Sequence, residues 1–270
     1  MKFSWYQQQW QNIFRDLMSS GRTVSPRGLL VKEIENYRYE LYPYNRFCGF
    51  EDRKLNLDYI KKEFLWYLKG DKFDLSILQH AKIWAGLVND DKSINSNYGQ
   101  YIFGDQNQFD LVVNELKNDK DSRRAIMMIL QPYHLTMKTK DVPCTISMSF
   151  RIRNGKLTMS VRMRSQDAIF GMGNDAPCFS FIQEMVLCAL QEYYPSLEMG
   201  RYHHSADSFH IYEKHFDMAS RICNKKAKYS DVDCPRISGP TEVRYLREYW
   251  KDTGGPIPET FKFTKWLLAP

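Results

Sequence analysis

Nowhere in the 270-residue chain do about eighteen apolar residues follow one another, so no membrane-spanning helix is expected. The first twenty residues carry charges and glutamines where a signal peptide would be apolar, which leads us to expect a soluble, cytoplasmic protein. Six cysteines, at 48, 144, 178, 188, 223 and 234, form neither a Cys-x-x-Cys pair nor a zinc-like Cys/His spacing. Reduced thiols and no metal are therefore expected. An internal repeat, a low-complexity tract and a linker are also missing, so residues 1–270 are expected to make one domain. The formal charge of +6 comes from basic residues spread along the chain, without a lysine-rich tail or a nucleic-acid module. An anionic ligand and a solvated basic surface account for it equally well.

What is present is regular patterning, with 43% hydrophobic residues to build a core. Apolar residues at helical spacing predict helices over Ser4–Met18, Leu55–Leu68, Ile77–Leu87 and Phe109–Leu116, and a largely buried one over Ala176–Leu190. Strands are predicted over Leu29–Leu41 and Ala125–Leu130. Thr145–Arg153 and Lys156–Met163 alternate on either side of Asn154-Gly155, a strong hairpin signal. Arg22–Gly28 reads as a basic loop, Asn89–Gly99 as a polar one and Gly171–Asp175 as a glycine-rich turn. Helices alternating with hairpins indicate an α+β or mixed α/β fold, not a clean parallel βαβ series.

Cys144 follows Pro143 at the mouth of a strand, a rigid position at which a nucleophile is often accessible. Free cysteine is more often a small buried hydrophobe, so position alone leaves both readings open. Glu63 lies among Phe64, Leu65 and Trp66, either at the wet edge of its helix or in a pocket that raises its pKa. Arg123 and Arg124 are either solvated charges or a pair of guanidinium forks suited to phosphate.

Several stretches occur together in the order and approximate spacing of the thymidylate synthase superfamily. They are Lys62–Leu68, Ile83-Trp84, Asn97–Gly99, Asp121–Arg124, Pro143-Cys144, Met163–Asp167, the Gly171 turn and His210–Tyr212. The chain resembles that family from about residue 20 to residue 216. The resemblance implies the thymidylate synthase fold, a mixed sheet with flanking helices, in a homodimer packed sheet against sheet. It also implies alkylation of C5 of a pyrimidine nucleoside monophosphate with 5,10-methylenetetrahydrofolate as co-substrate. By resemblance Cys144 adds to C6 of the ring, Arg164 lies beside it and would lower its pKa, and Glu63 organises water and proton transfers. Phosphate falls to Arg164 and Ser165 of one subunit and to Arg123 and Arg124 reaching across from the other, with Arg22 or Arg27 as a further contact. His210 and Tyr212 resemble the pair on the sugar hydroxyl, Asn97 and Tyr98 belong to a substrate-side loop, and Trp84, Asp167 and Gly171 resemble residues at the folate.

The family's base-reading asparagine is absent from its place. Counting from Asp167 through Gly171 without a gap, that place falls on Asp175, with Asn174 one step early. Uracil presents an N3–H donor and an O4 acceptor, whereas cytosine presents an N3 acceptor and an N4 donor. A protonated carboxyl offers one donor and one acceptor, so a neutral Asp175 would read cytosine. The plain alternative is that Asp175 caps a helix beginning at Ala176. Ile94–Gly99 and Met163–Asp175 are similar to the phage deoxycytidylate hydroxymethylases of the family, and Leu87 and Thr145 depart from its synthases. The resemblance therefore implies hydroxymethylation of dCMP. The alternatives are thymidylate synthesis or hydroxymethylation on dUMP, hydroxymethylation of CMP, and a silent relative that binds nucleotide or RNA.

Overall fold

Alternation along Thr145–Arg153 buries Met148, Phe150 and Ile152, while Ser147, Ser149 and Arg151 stay partly exposed. This is the half-buried strand that a two-residue period demands. At its end Asn154 and Gly155 take φ values of 51° and 70°, the positive pair that closes a tight hairpin without splaying the strands. Around this hairpin the computed structural model, which describes residues 5–224, 226–249 and 256–269, builds one six-stranded sheet. Ser4, where the first expected helix begins, lies outside the described ones.

In chain order the elements are α1 (Trp5–Ser20), β1 (Arg22–Val24), β2 (Val31–Leu41), α2 (Leu57–Lys69), α3 (Gly99–Ile102), α4 (Gln108–Asn118) and β3 (Ile126–Met128). There follow α5 (Pro132–Thr136), β4 (Thr145–Arg153), β5 (Lys156–Asp167), α6 (Gly171–Leu190), β6 (Glu198–Tyr212), α7 (Phe216–Cys223), α8 (Pro240–Glu248) and α9 (Lys262–Leu268). The strands lie in the order β1-β2-β6-β5-β4-β3, and every neighbouring pair is antiparallel except β5 with β6. That parallel pair is joined by α6, so the mixed α/β reading holds with one βαβ crossover in its centre.

Helices α1, α4 and α6 pack on the sheet, and α2 and α8 pack against α6. Nearly all of α6 is buried, with Phe179, Phe181, Ile182, Met185 and Val186 fully enclosed, as its apolar sequence requires. The other side of the sheet is left to polar residues in this chain. There Arg162 pairs with Asp207 at 3.1 Å, and Arg201 and His203 meet Glu40 at 3.2 and 3.3 Å. No helix among the described residues is long and apolar enough to cross a membrane.

Five local expectations need correction. Arg22–Val24 is a short edge strand paired to β2. Ile77–Leu87 forms two 3-10 segments, Ser76–Gln79 and Lys82–Leu87, because Ala81 between them is extended. β5 continues past Met163 to Asp167, so Arg164, Ser165 and Gln166 lie within the strand. Helix α6 begins at Gly171, not Ala176, so Gly171–Asp175 is helix and Asp175 is not its cap. β6, one of the two central strands of the sheet, is absent from the expected elements.

The continuation of β5 carries a change of phase. Buried residues run Leu157, Met159, Val161, Met163 and then resume at Gln166; on β6 they run Tyr202, His204, Ala206 and resume at Phe209. At the same level on β2, Asn36 takes φ 51° between the pairs Glu35↔Ser208 and Tyr37↔Ala206. On β4 the register slips between Thr145 and Ser147, directly after Cys144. Such irregularities re-aim side chains, and here they turn Gln166 into the interior at the end of the sheet where Cys144 lies.

Candidate active site

Cys144 sits where the chain enters β4, and the neighbouring strand carries its cation. Arg164 donates from Nε to the Pro143 carbonyl at 3.0 Å and from Nη2 to the Val142 carbonyl at 2.6 Å. The same nitrogen lies 3.6 Å from Cys144 Sγ, and the Arg164 N–H donates to the Cys144 carbonyl at 2.9 Å. Burial raises the thiol pKa; Arg164 and Arg27 act against it, while Asp175 and Asp141 add to it. The expected lowering by Arg164 is thus real in direction, but burial outweighs it.

The segment before Cys144 is clamped by the Ile94–Gly99 loop. Asn95 Nδ2 donates to the Asp141 carbonyl at 2.8 Å, and the Ser96 N–H and hydroxyl donate to the Asp141 carboxylate at 2.8 and 2.5 Å. Tyr98 is buried beside the nucleophile candidate, its hydroxyl oxygen accepting from the Thr145 N–H at 3.4 Å. Asn97 is turned the other way. Fully buried, it donates to the Asp71 carbonyl at 3.0 Å and accepts from the Gly99 N–H at 3.1 Å, so it holds the loop and does not face the cleft.

Glu63 lies on α2 between Tyr59 and Tyr67, one turn away on either side, so all three share a helix face. The Tyr59 and Tyr67 hydroxyls donate to Oε1 at 3.1 and 3.4 Å, and the Cys178 thiol lies 3.9 Å from Oε2. Trp84 Nε1 donates to the Tyr59 oxygen at 3.0 Å, which ties the tryptophan to the carboxylate through one hydroxyl. Burial, then the charge of Asp175, push Glu63 up to about 8, against the hydrogen bonds that favour its ionised form.

Asp175 is the other displaced acid, pushed up to about 7 by burial and by Asp167, with a hydrogen bond from Gln166 opposing. Gln166 Nε2 donates to its Oδ2 at 3.2 Å. Asn174, the rival for the same position, is committed elsewhere: its Oδ1 accepts from Arg53 Nη2 at 3.0 Å, and Arg53 Nε donates to the Ile169 carbonyl at 3.0 Å. A Cβ at Gly173, just before it on the helix, would fall 2.0 Å from that Arg53 guanidinium, so a side chain there would displace the arginine from Asn174. Asp167 spends its oxygens on the start of α6, accepting from the N–H groups of Ile169, Phe170 and Gly171 at 3.3, 2.8 and 3.3 Å.

A cleft of about 790 Å³ opens next to Cys144, lined by Val142 and Arg164 on either side of it, while Cys144, Glu63 and Asp175 are not themselves lining residues. Arg27, Lys140 and Arg164 line it together with the carboxylate of Glu33 and with Ser165, His210 and Tyr212, and Leu87, Leu135 and Val142 supply its apolar wall. Arg27 belongs to this lining and Arg22 does not. His210 is buried with its Nδ1 unpartnered among the described residues, and its ring meets Tyr212 edge-on at 5.1 Å. Arg123 and Arg124 are exposed outside the cleft of their own chain, with Arg124 on Glu115 at 3.0 Å. Tyr59, Tyr67, Gln166 and Tyr39 were missed as members of the site; the spacing of the two tyrosines about Glu63 was a readable signal, whereas Gln166 and Tyr39 meet only through the fold.

Because Glu63 and Asp175 are both protonated well above their ordinary ranges, the sign of their effect on stability is fixed. From about pH 4.5 to 8 the folded chain holds protons that the unfolded chain has lost, so stability is full at the acid end and is lost as pH rises. Glu63→Gln removes one of these groups. The fall in stability between pH 5 and 8, measured by thermal melting, should then be shallower than in wild type by ~2 kcal/mol; parallel curves would contradict the buried, protonated Glu63.

Cys144 and Arg164 meet where β4 begins beside β5, and Glu63 and Asp175 are both held above the ordinary carboxylate range. The thymidylate synthase family model matches residues 8–238, and the chain belongs to that family. Among individual proteins it is similar to the deoxyuridylate hydroxymethyltransferase of Bacillus phage SP01, at 30% identity over 221 residues, 76% of this chain and 56% of that one. It is also similar to the deoxycytidylate 5-hydroxymethyltransferase of Enterobacteria phage T6, at 32% over 171 residues, 60% of this chain and 70% of that one. The deoxyuridylate hydroxymethyltransferase of Delftia phage PhiW-14 is 28% identical over 211 residues, 73% of this chain and 57% of that one. The chain thus spans little more than half the length of the deoxyuridylate relatives. The expected nearness to the deoxycytidylate members alone is corrected: relatives named for either base stand at similar identity.

Proposed function

We propose that this chain is a folate-dependent hydroxymethyltransferase that acts on C5 of deoxycytidylate, and that residues 1–270 work as one domain. The observation that carries the choice of base is Asp175, an acid held protonated up to about pH 7 while Asn174 is bound to Arg53. A neutral carboxyl donates to N3 and accepts from N4 of cytosine, a pairing that uracil reverses. The longer match to a relative named for deoxyuridylate favours a second reading, hydroxymethylation of dUMP.

In the first reading Cys144 Sγ attacks C6, and Arg164, fixed by two carbonyls, stabilises the thiolate as it forms. Arg27, Arg164 and Ser165 receive the phosphate, and His210 and Tyr212 the sugar. Bound methylenetetrahydrofolate would supply the one-carbon unit, and Trp84, Asp167 and Gly171 would hold it. The cleft fits such a group in kind, since Leu87, Leu135 and Val142 suit a ring system and Lys140 an acidic tail. Glu63 stands in a tyrosine-lined pocket with a pKa near that of the medium, where it can take a proton from the water that completes a hydroxymethyl group. Mass spectrometry of the product from dCMP and from dUMP tests this reading: hydroxymethyl-dCMP is expected, and turnover of dUMP alone would replace it with the second.

We also propose a homodimer in which the polar side of the sheet meets its copy and Arg123 and Arg124 complete the phosphate site of the other subunit. Their exposure away from their own cleft supports this. Mixing inactive Cys144→Ala and Arg123→Ala/Arg124→Ala proteins should then restore activity, because one site of each mixed dimer has every group; no recovery on mixing would rule out sharing.

A further inference from the structure

A neutral carboxyl reads a ring only if its proton sits on the oxygen turned to that ring. Behind Asp175 lies a buried hydrogen-bonded chain. Tyr39, at 8% exposure, donates its hydroxyl to Gln166 Oε1 at 3.0 Å, and Gln166, at 2%, donates from Nε2 to Asp175 Oδ2 at 3.2 Å. With the Tyr39 hydroxyl donating to its oxygen, Gln166 turns its NH₂ to the acid. An amide NH₂ can only donate, so Oδ2 must accept, and a proton on Oδ2 would meet the amide head-on. That leaves Oδ1.

The far end of the chain is braced. The ring of His204 stacks on Tyr39 at 4.7 Å and 7°, and His204 Nδ1 is bonded to the Tyr202 hydroxyl at 2.6 Å. Burial pushes His204 down to about 3, so this support carries no charge at neutral pH. In a dry interior such a network keeps one orientation.

We propose that Tyr39 and Gln166 are positioning residues that fix the proton of Asp175 on Oδ1 and thereby set the preference for an aminopyrimidine, an inference that rests on the deoxycytidylate reading. Asp167 at the end of β5 acts by its charge on Asp175, and the charge of Asp175 acts in turn on Glu63 on α2 and Cys144 before β4; Tyr67, Tyr98 and Tyr202 face it as neutral phenols and Cys178 as a neutral thiol. Tyr202 is also hydrogen-bonded to Tyr39, so Tyr39→Phe changes its setting, whereas Gln166→Leu changes none of these groups.

The test is kcat/KM for dCMP and for dUMP, by tritium release from C5 with methylenetetrahydrofolate, across about pH 5 to 9 in wild type, Tyr39→Phe and Gln166→Leu. The dCMP-to-dUMP ratio should fall about tenfold in each variant, the scale of one hydrogen bond in a buried site. In Gln166→Leu the decline of dCMP turnover at high pH should also move upward, because a donor that favours the carboxylate is gone. A merely structural role would move neither. Wild-type preference for dCMP, with ratio and decline unchanged in folded variants, overturns the relay and leaves the base reading standing. Wild-type preference for dUMP overturns the base reading and the relay with it. Tyr39→Phe removes a single oxygen and carries the test alone if Gln166→Leu does not fold.

Discussion

Asp175→Asn should lower kcat/KM for dCMP by about a thousandfold and raise it for dUMP, so that the preferred base changes. The size of the effect follows from where the residue stands. In a site closed to water, reversed polarity leaves groups unpaired on both the ring and the protein, and neither can turn to solvent for compensation. Asparagine keeps the volume, and its NH₂ and oxygen meet uracil as the acid meets cytosine. Gln166 then matters to the outcome, for its Nε2 holds whatever oxygen residue 175 places there and so directs the NH₂ toward the ring. The pH profile should change with the base: wild type loses dCMP turnover as Asp175 ionises near pH 7, whereas the amide has no proton to lose. Steady-state rates on both nucleotides check this. A variant that still prefers dCMP, with the decline near neutral pH intact, would mean that another group reads the base.

How far such a site can be foreseen depends on whether its parts announce themselves locally. The hairpin at Asn154-Gly155 does, because only a positive φ pair closes so short a turn there. So does α2, which starts where Asn56 accepts from the Tyr59 N–H and stops at Gly70 with φ 63°. β6 does not. Its buried residues include His204, His210 and Ala206, so the alternation is carried by polar and small side chains that a hydrophobic pattern cannot display. β5 seemed to end at Met163 because the buried phase shifts by one residue just beyond it. The apolar spacing of Ile77–Leu87 resembles a helix, yet Ile83 is 70% exposed and Ala81 is extended, a choice made by packing against α2 and not by the segment itself.

The same distinction runs through the site. Cys144, Glu63 and Arg164 are candidates because each sits in a motif and Asp175 because it departs from one, and electrostatics links them in the fold. Asn97 sits in a motif too, but its amide is consumed by Asp71 and Gly99, a use that linear sequence cannot separate from ligand contact. Arg27 was one of two equal candidates until the left-handed turn at φ 53° directed it, and not Arg22, into the cleft. Tyr39 and Gln166 stand far apart in sequence and become neighbours only when β2, β6 and β5 are laid side by side.

Cys144→Ala should abolish turnover of either nucleotide by about 10⁴-fold or more, together with tritium release from C5, while nucleotide binding measured by calorimetry persists. The two readouts separate because different atoms serve them. In the proposed reading phosphate and sugar meet Arg27, Arg164, Ser165, His210 and Tyr212; of these only Arg164 loses a contact with the sulfur, and it keeps its bonds to the Pro143 and Val142 carbonyls, whereas C5 becomes a nucleophile only after sulfur has added to C6. Burial adds a second signature, in pH. With the thiol raised above its ordinary value, the thiolate fraction of wild type grows through neutral pH, so tritium release should climb until Asp175 ionises and the base is no longer read. The climb belongs to sulfur and the fall to the acid, so Asp175→Asn should keep the first limb on dUMP and lose the second. Exchange that survives in Cys144→Ala would show that the ring is activated without a covalent bond, and the proposed chemistry would fall while family membership stood.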